Sequence, residues 1–255
     1  SPEEFGYDTT LWTCDLLAEL ISQRYQVRVI GATINHHLHN LGLTHQKPNY
    51  IPLQQDPAAV EHYLNKKFPK IQRFASKVGA DMGFEDAAAV DLRERSGKTW
   101  SERGIRPAVA VTGQRGRLNM LSVVTSNGKL NYHVTEKNIT SQEYIQFLNQ
   151  LIEGRQQPIF LIVDRASFHR SKRVRWFVWR HRRQIRIFYL PAYSPELNPD
   201  EHVWEEIKDK QLGRQPIKNK SDLKNRLHSA LKSLQHRVER VISFFHLPET
   251  RYAAQ

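Results

Sequence analysis

Residues 158–164 read Pro-Ile-Phe-Leu-Ile-Val-Asp, and no other stretch of the chain restricts its fold as much. Five consecutive apolar residues, β-branched or aromatic in the main, are too short for a helix. They suit a strand buried on both faces, the kind found in a sheet covered by helices on either side. Asp164 ends that run. A carboxylate at such a place needs a partner or a purpose, because burying an unpaired charge is costly. In open α/β sheets, functional groups gather at the carboxyl ends of the strands.

The pattern on either side agrees with such a sheet. From about residue 82, Phe84, Asp86, Ala88 and Val90 alternate with Glu85, Ala87 and Ala89. Residues 107–112 and 118–125 are further strand candidates, and Asn127-Gly128 is a strong hairpin signal. A helix follows, with Thr140 and Glu143 as a candidate capping box and Tyr144, Phe147, Leu148 and Leu151 as its apolar stripe. After the 158–164 strand come a basic helix over about 171–182 and a strand from Ile185 to Leu190. A helix then starts near Pro199, and a helical tail has Leu223, Leu227, Leu231 and Leu234 on one face. A three-stranded antiparallel meander followed by helix, strand, helix, strand and further helices makes an α/β fold. It is a mixed sheet flanked by helices, in the element order of a ribonuclease-H-like domain.

Upstream the chain is different. Residues 10–43 have helical periodicity, with Leu11, Leu16, Leu17, Leu20 and Ile21 on one helix. A break at residues 25–29 precedes a second helix from Gly31 to about Leu41, closed by Gly42. Two short helices and a tight connection predict either a helix-turn-helix, with Thr33, Asn35, His36 and His39 facing a DNA groove, or a plain helical hairpin. The expected organisation is an all-α module over 1–45, a linker and connecting helix over 46–80, and the α/β domain over 81–255. Asp56-Pro57 caps the connecting helix, and Pro69 is expected to kink or break it. The chain starts at Ser1 inside a segment that reads as structured, so further residues are expected upstream.

Composition narrows the partners. A formal net charge of +12 suits a polyanion, nucleic acid first and an anionic membrane second. No apolar stretch approaches the ~20 residues that span a bilayer, and no signal peptide is present, so a cytoplasmic protein is expected. Cys14 is the single cysteine, which excludes an internal disulfide and a cysteine metal cluster.

Three acids stand out. Asp164 ends its strand. Asp86 and Glu85 project to opposite faces of theirs, so only one of them can share a site with Asp164; Asp86 is the choice. The third lies in the turn-rich segment after residue 190. With Asn198 as N-cap and Pro199 at the first helical position, Glu201 falls where it could also simply cap its own helix. Asp200 and Glu205 compete with it. Carboxylates without thiolates specify hard oxygen ligation, hence Mg²⁺ or Mn²⁺. A pair of such ions activates a water or a 3′-hydroxyl and stabilises the departing oxygen of a phosphodiester.

Leu190-Pro-Ala-Tyr-Ser-Pro-Glu-Leu-Asn-Pro-Asp-Glu-His-Val-Trp204 resembles the third-acid segment of DDE-type insertion-sequence transposases of the mariner superfamily. Leu161-Ile-Val-Asp-Arg-Ala-Ser-Phe-His169 is similar to that family's second-aspartate strand. Phe84-Glu-Asp-Ala-Ala, with Thr99-Trp100 and Arg103-Gly104 after it, is similar to the first. The 37-residue spacing from Asp164 to Glu201 also suits the family. Residues 10–43 resemble the second of its two N-terminal helix-turn-helix units. The resemblance implies a ribonuclease-H-like fold and a metal-binding catalytic triad of Asp86, Asp164 and Glu201 with two Mg²⁺ or Mn²⁺ ions. It also implies terminal inverted repeats as substrate, insertion at TA, and a homodimer that brings two element ends together in the bacterial nucleoid. The family's glutamate after the first aspartate is Ala87 here, and its asparagine after the second is Arg165. A decayed copy acting as a DNA-binding regulator and an unrelated metal nuclease are the competing functions.

His169 matches a family position and is expected either to support the site, to contact phosphate or to be structural. Arg170, Lys172 and Arg173 are expected to contact DNA. On the basic helix, Trp176, Phe177 and Trp179 are expected to form the core face. Trp100 and Trp204 are expected to pack rather than stack on bases.

Overall fold

The computed structural model describes residues 1–46, 52–92, 100, 102–105, 107–108, 112–212 and 217–254, in two compact units, Ser1–Tyr50 and Ile51–Gln255. In the first unit, helix α1 (Cys14–Tyr25) is capped by Thr13, whose Oγ1 accepts the Leu16 N–H at 3.1 Å. Leu16, Leu17, Leu20 and Ile21 are half-buried, whereas Leu11 precedes the helix and is exposed. Gln26, in the left-handed region at φ 57°, ends α1, and α2 (Gly31–Asn40) buries Ile34.

In the second unit, Asp56 accepts the N–H groups of Ala58 and Ala59 and starts α3 (Pro57–His62). The chain continues through a π-helical turn, Tyr63–Lys67, into α4 (Phe68–Val78). The turn falls where Pro69 offers no N–H for a regular α-helical bond, so the expected kink is a π turn rather than a break.

Five strands form one sheet: β1 (Asp81–Asp91), β2 (Arg117–Thr125), β3 (Leu130–Thr135), β4 (Ile159–Val163) and β5 (Ile185–Tyr189), in the order β3-β2-β1-β4-β5. The first three are an antiparallel meander; β1 with β4 and β4 with β5 are parallel. Of the strand expected at 107–112, residues 107, 108 and 112 lie in no strand, and 109–111, like Thr99, fall outside the described residues. The meander's third strand is instead β3, reached through Asn127-Gly128. Gly128 has φ +83°, and a Cβ there would lie 2.5 Å from Val238 Cγ1 and 3.0 Å from the Val238 carbonyl. Gly128→Ala is therefore expected to cost about 1–2 kcal/mol in left-handed strain and crowding, read as a melting temperature lower by a few degrees.

Both faces of the sheet are covered. On one, Phe84, Val90, Leu118, Met120, Phe160 and Ile162 pack with residues of α4, α7 (Glu201–Glu205), α8 (Lys220–His236) and α9 (Val238–Ser243). On the other, Leu121, Val123, Leu161 and Val163 pack with α5 (Ser141–Ile152) and α6 (Lys172–Arg180). β4 is buried along its whole length, as its unbroken apolar run requires. Leu223, Leu227, Leu231 and Leu234 are the core stripe of α8. Thr140 caps α5 through the Glu143 N–H, but the Glu143 carboxylate turns to Thr135 and Lys137, so no reciprocal capping box forms.

Two expectations about tryptophan fail. Trp176 and Trp179 are 58% and 64% exposed, and Trp100 is 99% exposed. On α6 the core positions go to Val174 and Phe177, with Val178 and His181 half-buried beside them. That is the i, i+3, i+4, i+7 stripe, which leaves positions 176 and 179 outside it.

Candidate active site

A cleft of about 530 Å³ opens at the carboxyl ends of β4 and β5, lined by Asp86, Asp164, Glu201, Arg165, Arg170 and the 190–195 turn, among others. Three separate elements deliver its acids: Asp86 from within β1, Asp164 from the residue after β4, and Glu201 from the start of α7. Among the described residues, no three His, Cys, Asp or Glu side chains stand close enough to form a ready metal cage.

The competing acids separate clearly. Glu205 is exposed and pairs with His202 at 2.9 Å. Asp200 is completely buried, bonds to the Ser122 hydroxyl, and is not among the cleft-lining residues. The helix starts at Glu201, one residue past Asp200, which makes no side-chain cap bond. Asn198 orders the entry instead. Its Oδ1 accepts the Asp200 N–H at 3.2 Å, and its Nδ2 donates to the Glu85 carbonyl at 3.0 Å, tying the turn to β1. Glu201 therefore caps nothing among the described residues, and its carboxylate is left to the cleft.

Electrostatics single out the same group. Burial pushes the Asp86 carboxyl well above the usual carboxylate range, and the charges of Glu201, Glu85 and Asp164 push it further; the Ala87 N–H opposes them. Trp204 Nε1 donates to Asp86 Oδ2 at 2.9 Å, so Trp204 is both a core residue and the clamp on this carboxylate. Burial raises Glu201 as well, with Lys208 opposing and Glu205 adding. Asp200 is raised by burial and by Asp86, and among the described residues its buried Oδ1 has no hydrogen-bond partner. Carboxyls raised by burial and by one another's charge are where cations are drawn.

Asp164 is different. Burial would raise it, but the His169 ring and the Ala166 N–H, which donates to Oδ1 at 2.8 Å, outweigh that and hold it low. His169 is 1% exposed and lies 2.8 Å from Asp164 Oδ1 through Nδ1 and 2.8 Å from Glu85 Oε2 through Nε2. The Nε2 contact with Glu85 is an ion pair at close range. Burial would lower the histidine, but the Glu85 and Asp164 carboxylates prevail and push its pKa up to about 10. Glu85 is 0% exposed, and the Tyr144 hydroxyl donates to its Oε2 at 3.3 Å. A buried histidine contacts no phosphate. The expectation that His169 touches DNA gives way to a role in holding Asp164.

Side-chain alternation separated Asp86 from Glu85, as the sequence predicted, yet Glu85 is no bystander: it is the buried counterion of His169. Glu85, Trp204, Ser122 and Tyr144 were not legible as site residues, because each acts through a partner distant in sequence. Arg165 donates from Nε to the Leu190 carbonyl at 3.1 Å and places a cation on the cleft wall. Arg170, Lys172 and Arg173 are exposed, as are Asn35, His36 and His39 on α2, while Thr33 is half-buried.

The chain is similar to several known proteins. The model of the DDE superfamily endonucleases matches residues 81–224, and a winged helix-turn-helix model matches residues 8–67. The chain is 25% identical over 214 residues to the insertion element IS630 uncharacterized 39 kDa protein of Shigella sonnei, covering 82% of this chain and 60% of that protein. It is 38% identical over 71 residues to the Tc1 transposable-element transposase of Caenorhabditis elegans, covering 28% of this chain and 25% of that one. The chain thus spans less than two thirds of the length of these relatives. The Mos1 mariner paired-end complex with Mn is similar in fold, with a TM-score of 0.64 and 14% identity over 98% of this chain and 77% of that one. The paired-end complex with Mg has a TM-score of 0.62 at 13% identity, over 97% and 80%.

Proposed function

The chain belongs to the DDE superfamily of endonucleases, and from that premise we propose that it is the DNA-cleaving and strand-joining part of a cut-and-paste transposase, with Asp86, Asp164 and Glu201 as its metal-binding residues. One observation carries the reading: three carboxylates from three elements line one cleft, and two of them are made costly to ionise by burial and by their neighbours. The donor set is all oxygen and anionic, which fits Mg²⁺ or Mn²⁺. When bound, a pair of these ions supplies an activated water or 3′-hydroxyl and neutralises the departing oxygen.

The chain's own residues position that chemistry. Both the Ala166 N–H and the His169 ring engage Asp164 on Oδ1, which leaves Oδ2 for a ligand. Trp204 holds Asp86 by Oδ2. No protein nucleophile is needed, because phosphoryl transfer rests mainly on positioning and charge neutralisation. Arg165 and Arg170 on the cleft wall, with Lys172 and Arg173 beyond, suit the phosphates on either side of the scissile bond. The exposed Asn35, His36 and His39 of α2, with Thr33, would read terminal inverted repeats in the major groove. Joining two element ends calls for a homodimer, with TA as target, in the cytoplasm at the nucleoid. Among the described residues no helix is long and apolar enough to cross a membrane.

The test is a nicking assay on duplexes carrying the element's terminal repeats, with Mg²⁺ or Mn²⁺, comparing wild type with Asp164→Asn. Nicking by wild type and its loss in the variant are expected. Equal nicking by both, or none by either, overturns the proposal.

A further inference from the structure

Between residues 165 and 195 there is no Asp or Glu, while Arg170, Lys172, Arg173, Arg175, Arg180, Arg182 and Arg183 fall in its middle. All seven are exposed. On α6, Val174 and Phe177 turn into the core, and Trp176 and Trp179 turn out. Positions 176 and 179 are three apart, so the indoles share one face of the helix. Each is paired with a guanidinium: Arg180 lies 5.4 Å from the Trp176 ring centroid and Arg182 5.3 Å from that of Trp179.

Exposed indoles forgo the burial that tryptophan normally gains, and this pair is not used by the fold. The face is uniformly cationic, so a second copy of the same face would be repelled and a polyanion attracted. Duplex DNA presents phosphates outward and keeps its base faces stacked away. Single strands offer both phosphates and free base faces, and the pairing of indole with guanidinium suits both. Arg170 lines the acidic cleft two residues before α6 begins, and α6 then runs for about 14 Å.

We propose that the Trp176–Trp179 face of α6 is a stacking surface for the unpaired bases of single-stranded DNA leaving the acidic cleft. The identity of that strand rests on the function proposed above; its binding does not depend on cleavage.

The test is fluorescence anisotropy of the full chain in EDTA, with a labelled single-stranded oligonucleotide and its duplex. Trp176→Ser with Trp179→Ser is expected to weaken single-strand binding by about tenfold or more, and duplex binding by less than about twofold. Trp176→Phe with Trp179→Phe should retain most of the single-strand affinity. Because the cations remain, the slope of affinity against salt should be unchanged. Equal losses on the two DNAs, no loss on either, or a loss not rescued by phenylalanine overturns the proposal. So does a Trp-dependent change confined to binding of phosphatidylserine vesicles, or to the oligomeric state. Tryptophan-dependent binding in a protein that never nicks would sink the catalytic reading alone; normal nicking without it would sink this one alone.

Discussion

Asp86→Asn is expected to abolish metal-dependent nicking while making the metal-free protein more stable. Loss of a metal-binding carboxylate removes several kcal/mol of transition-state stabilisation, a fall of about 10³-fold or more at ~1.4 kcal/mol per decade. Stability moves the other way. The folded protein holds the Asp86 carboxyl well above its ordinary range, chiefly through burial and then through Glu201 and Glu85. A raised carboxyl binds its proton better folded than unfolded, so it lowers stability as pH rises above the usual carboxylate value. Asparagine mimics the protonated form and still accepts from Trp204 through Oδ1. In EDTA at neutral pH the variant should melt a few degrees higher, corresponding to about 1–2 kcal/mol. Adding Mg²⁺ or Mn²⁺ should raise the wild-type melting temperature and leave the variant's nearly unchanged. A variant that melts lower in EDTA would show that the Asp86 charge is compensated in the fold.

Removing the ring of His169 has the opposite signature. His169→Ala leaves Glu85 buried and unpaired, which is expected to cost about 3–5 kcal/mol and to lower the melting temperature by about 10 °C. His169→Ala combined with Glu85→Gln should cost less than His169→Ala alone, since no orphan charge is left. The pH dependence follows from a histidine raised to about 10. Its contribution is fully present below the ordinary histidine value near 6.5 and is lost as pH rises through about 10. The stability gap between wild type and Glu85→Gln, measured by denaturation in EDTA, should therefore narrow over that window. A gap that stays constant from pH 6 to 10 would mean the ring is neutral. Because His169 also holds Asp164, His169→Asn should weaken Mn²⁺ binding by about 10–100-fold.

The difference between these two predictions reflects how the two kinds of acid are held. Asp86 is surrounded mainly by like charges, and the Trp204 indole N–H and the Ala87 N–H do not offset them. Glu85 faces a cation. Its place on the other side of β1 looks like chance in the sequence, and only the fold brings the His169 ring, from the segment after β4, within 2.8 Å. Ala87 lies on the same strand face as Glu85, so the absence of a carboxylate at position 87 does not leave that face without one.

Much of the architecture is written locally. The unbroken apolar run before Asp164 determines a doubly covered strand, alternation around Asp86 sets which face it takes, and Asn127-Gly128 sets the hairpin. These depend on residues within a few positions of one another, where the pleat and the turn impose their periods directly. Even the outward tryptophans of α6 were legible in principle: Val174, Phe177, Val178 and His181 keep strict helical spacing, and the aromatic character of Trp176 and Trp179 obscured it. Other features were decided only by tertiary structure. Glu201 was separated from Asp200 and Glu205 when the entry turn docked on β1 through Asn198, burying one acid, exposing another and leaving the third on the cleft. Trp204 became the clamp on Asp86, and His169 became the counterion of Glu85, across 118 and 84 residues of chain. The sequence by itself determined which acids could serve. Which ones meet, and what holds them, depends on desolvation and charge pairing between segments far apart in the chain, and those energies exist only once the sheet has brought the segments together.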